Sequence, residues 1–310
     1  MMSSDRIATT GGSIPGEGAH APAFTFSRPG PGANAIPVLV AVPHAGRAYP
    51  ATLTAAMRHP DEAKLRLEDR LVDRIADQVA HATGAALLVA HAPRAMIDLN
   101  RSPDDVDWEM VADARRRAPR HSTGRRARNG LGLVPRRLPG LGELWSGRLA
   151  AADLSERIEA VHRPYHARLS QGLESLRDRW GAALLIDMHS MPPLGPKPGE
   201  GAADFVVGDR FGASCQGRLS AETLRYLARE GRLAAHNRPY AGGYVLDRHG
   251  APARGIGAIQ LEICRTTYLD ARLREPGPGM ADVVTLLSGL VRALADGLAR
   301  SGSLFAQAAE

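Results

Sequence analysis

The chain has 310 residues, 44% of them hydrophobic, enough for one large α/β domain with a substantial core. Its net charge is +6 and its pI about 9.8, yet its only lysines are Lys64 and Lys197, and the densest basic stretch, Arg115 to Arg128, has no aromatic residue for base stacking, so no nucleic-acid partner is expected. Two cysteines, Cys215 and Cys264, without CxxC spacing argue against a disulfide framework and a thiolate metal site, and no apolar run reaches the ~20 residues of a membrane span.

Residues 1–34 are rich in Gly, Pro, Ser and Ala without periodicity, so a flexible leader is expected there, with the folded domain over 35–310. They show no basic stretch followed by an apolar core and a cleavage site, and a cytoplasmic location is expected. Residues 36–42 form a short valine-rich run ending in Pro43, His44, Ala45 and Gly46, the pattern of a buried strand entering a turn. Leu67, Leu71, Ile75 and Val79 repeat every four residues and predict a helix, followed by a strand over 85–90. Residues 102 to about 150 break this rhythm with Asp, Arg, Gly and Pro, an irregular insertion that is either disordered or functional. Leu154, Ile158, Val161, Leu169, Leu173 and Leu176 then mark a longer helix. Strands are expected at 182–188, 205–207 and 258–263, and a last helix over 280–298. Apolar strands alternating with amphipathic helices predict a single-domain α/β fold: a mixed, mostly parallel sheet flanked by helices on both faces, with ligands bound beyond the carboxyl ends of the strands.

Two of these strands deliver histidine. In VAVPHAGRAYP, residues 40–50, His44 enters a glycine-containing turn, rigidly held yet reachable; the alternative is an imidazole that merely bonds its own turn. LLIDMHSMPP, residues 184–193, repeats the arrangement with His189. Asp187, two residues earlier, falls on the same side of the strand, where a carboxylate can orient a ligating ring. Without thiolates, a metal site here must use histidine and carboxylate, as catalytic zinc does. Glu68 and Asp69 in LEDRLVD both offer a third ligand, although acidic residues also favour the first turn of a helix without any metal.

PRAMIDLNR, residues 93–101, gathers Arg94, Asn100 and Arg101, whose forked donors suit a carboxylate; a salt-bridge network around Asp98 is the other possibility. Glu262 lies inside the otherwise apolar AIQLEIC, where a carboxylate is costly unless it is paired, for instance with Arg265, or serves as a base. His162 and His166, four apart in HRPYH, could clamp a metal, but no Glu lies between them and Pro164 points to a helix kink or start. Ser190 beside His189 lacks the GxSxG setting of a nucleophile.

In type and order, PHAGRAYP, EDRLVDR, RAMIDLNR, HRPYH, IDMHSMPP, NRPYAGGY and QLEICRTTYLD resemble the N-formylglutamate amidohydrolase family across residues 36–275. The resemblance implies a phosphorylase/hydrolase-like fold in the zinc carboxypeptidase and aspartoacylase group, with one Zn2+ per chain, another divalent metal being the alternative. It further implies a small-molecule N-acyl amino acid as substrate, and a monomer or small homo-oligomer without nucleic-acid or membrane partners. Carried over, it makes His44 and His189 zinc ligands, with Asp69 as the third and Glu68 as its alternative. Arg47 stands where the HxxE pattern of carboxypeptidases has Glu, a departure that bears on that third ligand. Glu262 then resembles the base that activates water, and Arg94 the residue that stabilises the oxyanion. Asn100 and Arg101 resemble the grip on the α-carboxylate, and Tyr240 and Tyr244 a substrate-binding loop over the site. The implied reaction converts N-formyl-L-glutamate to formate and L-glutamate, a step of histidine breakdown. The alternatives are a succinyl or acetyl deacylase, or a non-catalytic small-acid binding protein on the same fold.

Overall fold

The computed structural model describes residues 6–16, 21–112, 124–196 and 201–307. Its elements begin with β1 (Arg6–Gly11), β2 (Phe24–Pro29), β3 (Val38–Val42), α1 (Ala51–Ala56), α2 (Pro60–Leu67), α3 (Val72–Thr83) and β4 (Ala86–Ala90). A short helix α4 (Arg125–Arg128) and a hairpin of β5 (Arg137–Leu138) and β6 (Gly142–Glu143) follow. The chain continues through α5 (Ala151–Arg157), α6 (Arg163–Trp180), β7 (Ala183–Met191), β8 (Phe205–Gly208), α7 (Gly217–Arg229), β9 (Ala234–His236), α8 (Tyr244–His249), β10 (Ile256–Cys264) and α9 (Met280–Gln307).

Eight strands form one mixed sheet in the order β1-β2-β4-β3-β7-β10-β8-β9. The central four, β4, β3, β7 and β10, are mutually parallel, so their carboxyl ends gather at one edge. β2 pairs antiparallel with β4, and β8 with β10. β3, β7 and β10 are buried along their whole length, as expected of strands covered on both faces.

Period-two alternation along these strands separates two cores. Val38, Val40, Val42, Leu184, Ile186, Met188, Ile259, Leu261 and Ile263 pack beneath α3, α7 and α9. Leu39, Ala41, Ala183, Leu185, Ile256 and Ala258 pack beneath α6 on the opposite face. Continuing along β7 and β10 on that second face come Asp187, His189, Gln260 and Glu262, which are buried but polar. The site thus begins where the apolar alternation stops. β7 and β10 each run past the limits expected from sequence, so His189 lies within its strand rather than just beyond it, and Glu262 lies inside β10 as expected.

The expected leader 1–34 is corrected by the structure, because β1 and β2 lie inside it and extend the sheet beyond β4. Phe24 and Phe26 are buried, and Phe24 meets Tyr165 of α6 edge-on at 5.8 Å. The folded domain therefore begins before residue 35, while residues 1–5 and 17–20 lie outside the described residues. In the expected insertion, α4 and the β5–β6 hairpin are ordered elements, and residues 113–123 of the basic stretch are outside the described residues. Pro164 neither starts nor breaks its helix, since residues 151–180 form one helical run with a π-turn at Ile158–His162. Proline has no N–H for the Ala160 carbonyl, which instead accepts from the Ser13 N–H at 3.0 Å. Among the described residues no helix is long and apolar enough to cross a membrane.

Candidate active site

His44 lies in the turn after β3, Asp69 in the turn between α2 and α3, and His189 on β7. The Asp69 N–H donates to the His44 carbonyl at 2.9 Å, which ties the two turns together. Gly46 lets the first turn pass its neighbour, since a Cβ there would sit 2.1 Å from the Ala92 carbonyl oxygen. One atom from each of His44, Asp69 and His189 can be chosen so that all lie within 4.8 Å of one another. Asp69 Oδ2 is 2.8 Å from His189 Nδ1 and 3.5 Å from His44 Nδ1, and the latter nitrogen is buried without a hydrogen-bond partner. The far nitrogens are held by carboxylates. His44 Nε2 donates to Asp98 Oδ1 at 2.7 Å, and His189 Nε2 to Asp187 Oδ2 at 2.9 Å. His189 Nδ1 donates to Asp69 Oδ2 at 2.8 Å, and a bound ion would take up the Nδ1 lone pairs that the two rings offer in their neutral, Nε2-donating form.

This donor set fits a divalent metal ion: two imidazole nitrogens and a carboxylate oxygen, one nitrogen orphaned, and both rings braced from behind. The electrostatics agree. Burial alone would raise Asp69, but the hydrogen bond from His189 and the adjacent His44 ring hold it far below the usual carboxylate range. Burial would lower His189, but Asp187 and Asp69 hold it well above the ordinary imidazole value, so the site favours positive charge.

The neighbours of Asp69 separate it from Glu68. Ser190 Oγ donates to Asp69 Oδ1 at 3.3 Å, and Arg265 Nε donates to Ser190 Oγ at 3.1 Å. Glu68 is outside the cluster and pairs with Arg70 at 3.3 Å. Leu71, which opens α3, adopts a left-handed φ of 60°, local strain of roughly 1–3 kcal/mol at the turn that delivers Asp69. Tyr268 Oη, donating to the Arg70 carbonyl at 2.7 Å, pins the same turn. Arg47, at the HxxE position, pairs through both terminal nitrogens with Asp73 at 3.0 and 2.6 Å.

Glu262 stands opposite His189 in the parallel register of β10 and β7. Burial pushes its carboxyl up to about 7, against the opposing pull of His189 and Arg94. Arg265, the partner considered from sequence, instead serves Ser190 and the carbonyls of Leu65 and Glu68. The hydrogen-bond partner of Glu262 is Gln260, whose Nε2 donates to Oε1 at 2.8 Å. Gln260 Oε1 in turn accepts from Asn100 Nδ2 at 3.2 Å. Gln260 is absent from the motif-based set, and its one sequence signal is the spacing of two from Glu262, which puts both on one strand face.

These groups share a cavity of about 340 Å³. Arg66, Arg94, Arg101, Arg126 and Arg265 line it, against the carboxylates of Asp69 and Glu262. Arg94 Nε donates to Asp98 Oδ2 at 2.9 Å, so it serves the ion-pair network and faces the cavity as well. Arg101 donates to the carbonyls of Leu131 and Asn100 at 3.0 and 2.8 Å. Asn100 Oδ1 accepts from the Val245 N–H at 3.0 Å, and its second amide hydrogen has no partner among the described residues. Gly243 makes that approach possible, because a Cβ there would lie 2.5 Å from Asn100 Oδ1. Tyr240 lines the cavity, and burial keeps its hydroxyl protonated as a donor. Tyr244 does not line it; its ring packs against His162 and His166, and its hydroxyl accepts from Arg248 at 3.1 Å. A second cavity of about 380 Å³, around Leu53, Met96, Trp145 and Arg157, contains none of the candidate ligands and no Glu262.

The chain matches the N-formylglutamate amidohydrolase family over residues 36–269. It is 29% identical over 267 residues to an N-formylglutamate deformylase of Pseudomonas aeruginosa, covering 85% of this chain and 92% of that protein. With an N-formylglutamate deformylase of Pseudomonas putida it shares 33% identity over 242 residues, or 76% and 82% of the two chains. The solved N-formylglutamate amidohydrolase from Ralstonia eutropha is similar at a TM-score of 0.80 and 32% identity, over 90% of this chain and 99% of that one. A gene product of Agrobacterium tumefaciens, 17% identical over 86% and 91% of the two chains, shares the fold at a TM-score of 0.59. The chain belongs to the N-formylglutamate amidohydrolase family and is a hydrolase of an amide bond.

Proposed function

We propose that the chain hydrolyses N-formyl-L-glutamate to formate and L-glutamate, with a zinc ion held by His44, Asp69 and His189. The observation that carries this is the presence in one cavity of the three-residue cluster, the Glu262 carboxyl raised to about 7, and five arginines. When bound there, the ion supplies Lewis-acid polarisation of the formyl carbonyl and eases deprotonation of water.

The remaining steps belong to the chain's own residues. Gln260 occupies Glu262 Oε1, so Oε2 is left to take a proton from the attacking water. The water oxygen adds to the formyl carbon, the C–N bond breaks, and Glu262 returns the proton to the leaving nitrogen. A carboxyl that titrates near 7 serves as base and then acid at neutral pH. The terminal nitrogens of Arg94 make no hydrogen bond among the described residues and share the negative charge that grows on the carbonyl oxygen. Arg101 and the spare Asn100 amide hydrogen grip the α-carboxylate, while the arginine-rich wall favours a substrate with a second carboxylate. Tyr240 adds a neutral donor from the loop before α8.

The test compares product release from N-formyl-L-glutamate with release from its N-acetyl and N-succinyl analogues. The formyl substrate should lead in kcat/KM by at least ~10-fold, since one misplaced methyl or more costs about that much in a fitted pocket. Preference for acetyl or succinyl would replace the formyl assignment with a deacylase. Metal binding without turnover of any of the three would make the chain a small-acid binding protein.

A further inference from the structure

The reaction as derived does not use HRPYH, yet its two histidines are buried against the segment that carries Asn100 and Arg101. His162 Nε2 lies 2.9 Å from the Arg101 carbonyl oxygen, and His166 Nε2 lies 3.0 Å from that of Leu99. A carbonyl oxygen only accepts, so both Nε2 atoms carry hydrogen. The Nε2 atoms of the pair, each donating to a different carbonyl, are therefore not metal ligands.

His166 Nδ1 is 2.9 Å from His249 Nε2, and His249 Nδ1 is 3.3 Å from Ser170 Oγ. Burial holds all three imidazoles below their ordinary range, His249 at about 3, so each ring is neutral. Neutral rings leave one proton arrangement: Ser170 donates to His249, His249 to His166, and His166 to the Leu99 carbonyl. Every donor in that relay points toward the Asn100 segment.

The two carbonyls need this help. Residues 96–101 belong to neither helix nor strand, and no backbone N–H among the described residues reaches Leu99 O or Arg101 O. Tyr244 packs against the rings of His162 and His166 and closes the cluster on another side. The π-turn ends at His162, just before the α6 turn that presents His166.

We propose that His162 and His166, the latter backed by His249 and Ser170, are positioning residues that fix the Leu99 and Arg101 carbonyls and so aim the Asn100 and Arg101 donors at the substrate's α-carboxylate. This role rests on the assignment of Asn100 and Arg101 made above.

The experiment compares kcat and KM of wild type, His166→Leu and His166→Gln on two substrates: N-formyl-L-glutamate and 4-formamidobutanoate, which lacks only the α-carboxylate. Glutamine keeps an N–H donor and leucine does not. His166→Leu should lose about tenfold in kcat/KM on N-formyl-L-glutamate, mostly through KM, which is ~1.4 kcal/mol and the size of one net hydrogen bond. It should stay within about twofold of wild type on 4-formamidobutanoate, and His166→Gln should recover most of the loss. Equal losses on both substrates would reduce His166 to general structural support, and a folded His166→Leu with no loss would remove the role outright. Wild-type protein that turns over neither substrate would instead remove the assignment of Asn100 and Arg101 on which the role stands. Should His166→Leu fail to fold, ring nitrogen NMR of the wild type decides. His162, His166 and His249 should all show Nε2–H tautomers unchanged from pH 8 to pH 5, and an Nδ1–H tautomer or a titrating His166 would overturn the relay.

Discussion

Glu262 combines two properties that rarely meet in one carboxylate. It is buried on a strand whose only other buried polar side chain is Gln260, and its one hydrogen bond among the described residues, from neutral Gln260, leaves the second oxygen for proton transfer. Glu262→Gln is nearly isosteric, so it should keep the metal content of wild type while lowering kcat by about 10²–10⁴-fold, the usual worth of a general base. Metal analysis beside steady-state kinetics checks this; a variant with metal and undiminished kcat would place the base elsewhere. At this scale the sequence is legible only where partners are local. Asp187 and His189 can be paired from strand periodicity alone, because residues two apart share a face. His44 and Asp98 are separated by 54 positions, and only the parallel packing of β3 against β4 brings their two turns together. Glu68 and Asp69 are adjacent and chemically alike, so the choice between them depends on a backbone turn that no composition reveals.

Helix α6 crosses β3 and β2 at very close range. A Cβ on Gly172 would lie 2.7 Å from Leu39 Cδ1 and 3.2 Å from Phe26 Cε2, and both of those side chains are buried. Gly172→Val should therefore cost about 1–3 kcal/mol by overpacking, partly offset by better helix propensity. Urea unfolding measures it, and an unchanged midpoint would mean that the helix does not seat on the sheet in this way. The central strands were legible because both of their faces are buried, which writes continuous Val, Leu and Ile runs into the sequence. Strand β2 was not, because FTFSRP offers only two apolar side chains on one face and lies in a Gly- and Pro-rich stretch. The helix over 151–180 was legible from its leucines, while its π-turn was not, since the rescue of the Ala160 carbonyl comes from Ser13, far away in sequence.

Over the whole molecule, three neutral histidines buried in one cluster couple stability to pH. Unfolded, each would titrate near the ordinary value of about 6.5, whereas His249 in the fold titrates at about 3. Between those values the unfolded chain binds more protons, so this contribution is fully present above about pH 6.5 and is lost as pH falls toward 3. His249 faces His162, His166 and Arg248, all of which disfavour a charge on it or gain nothing from one. His249→Asn should show a shallower fall of the urea midpoint between pH 7 and pH 5 than wild type; parallel slopes would mean that His249 is already charged in the fold. The family and the α/β class were legible from seven short motifs in order. The five-arginine wall was not, because Arg66 and Arg126 come from α2 and α4, which no motif links to the site.

The most direct test of the central claim is a titration of metal-stripped protein with Zn2+, reading formate release from N-formyl-L-glutamate. Activity should rise in proportion to added metal, level off at one equivalent per chain, and fail to appear in His44→Ala or His189→Ala at the same metal concentration. Full activity in the stripped wild type, or undiminished activity in both histidine variants, would contradict it.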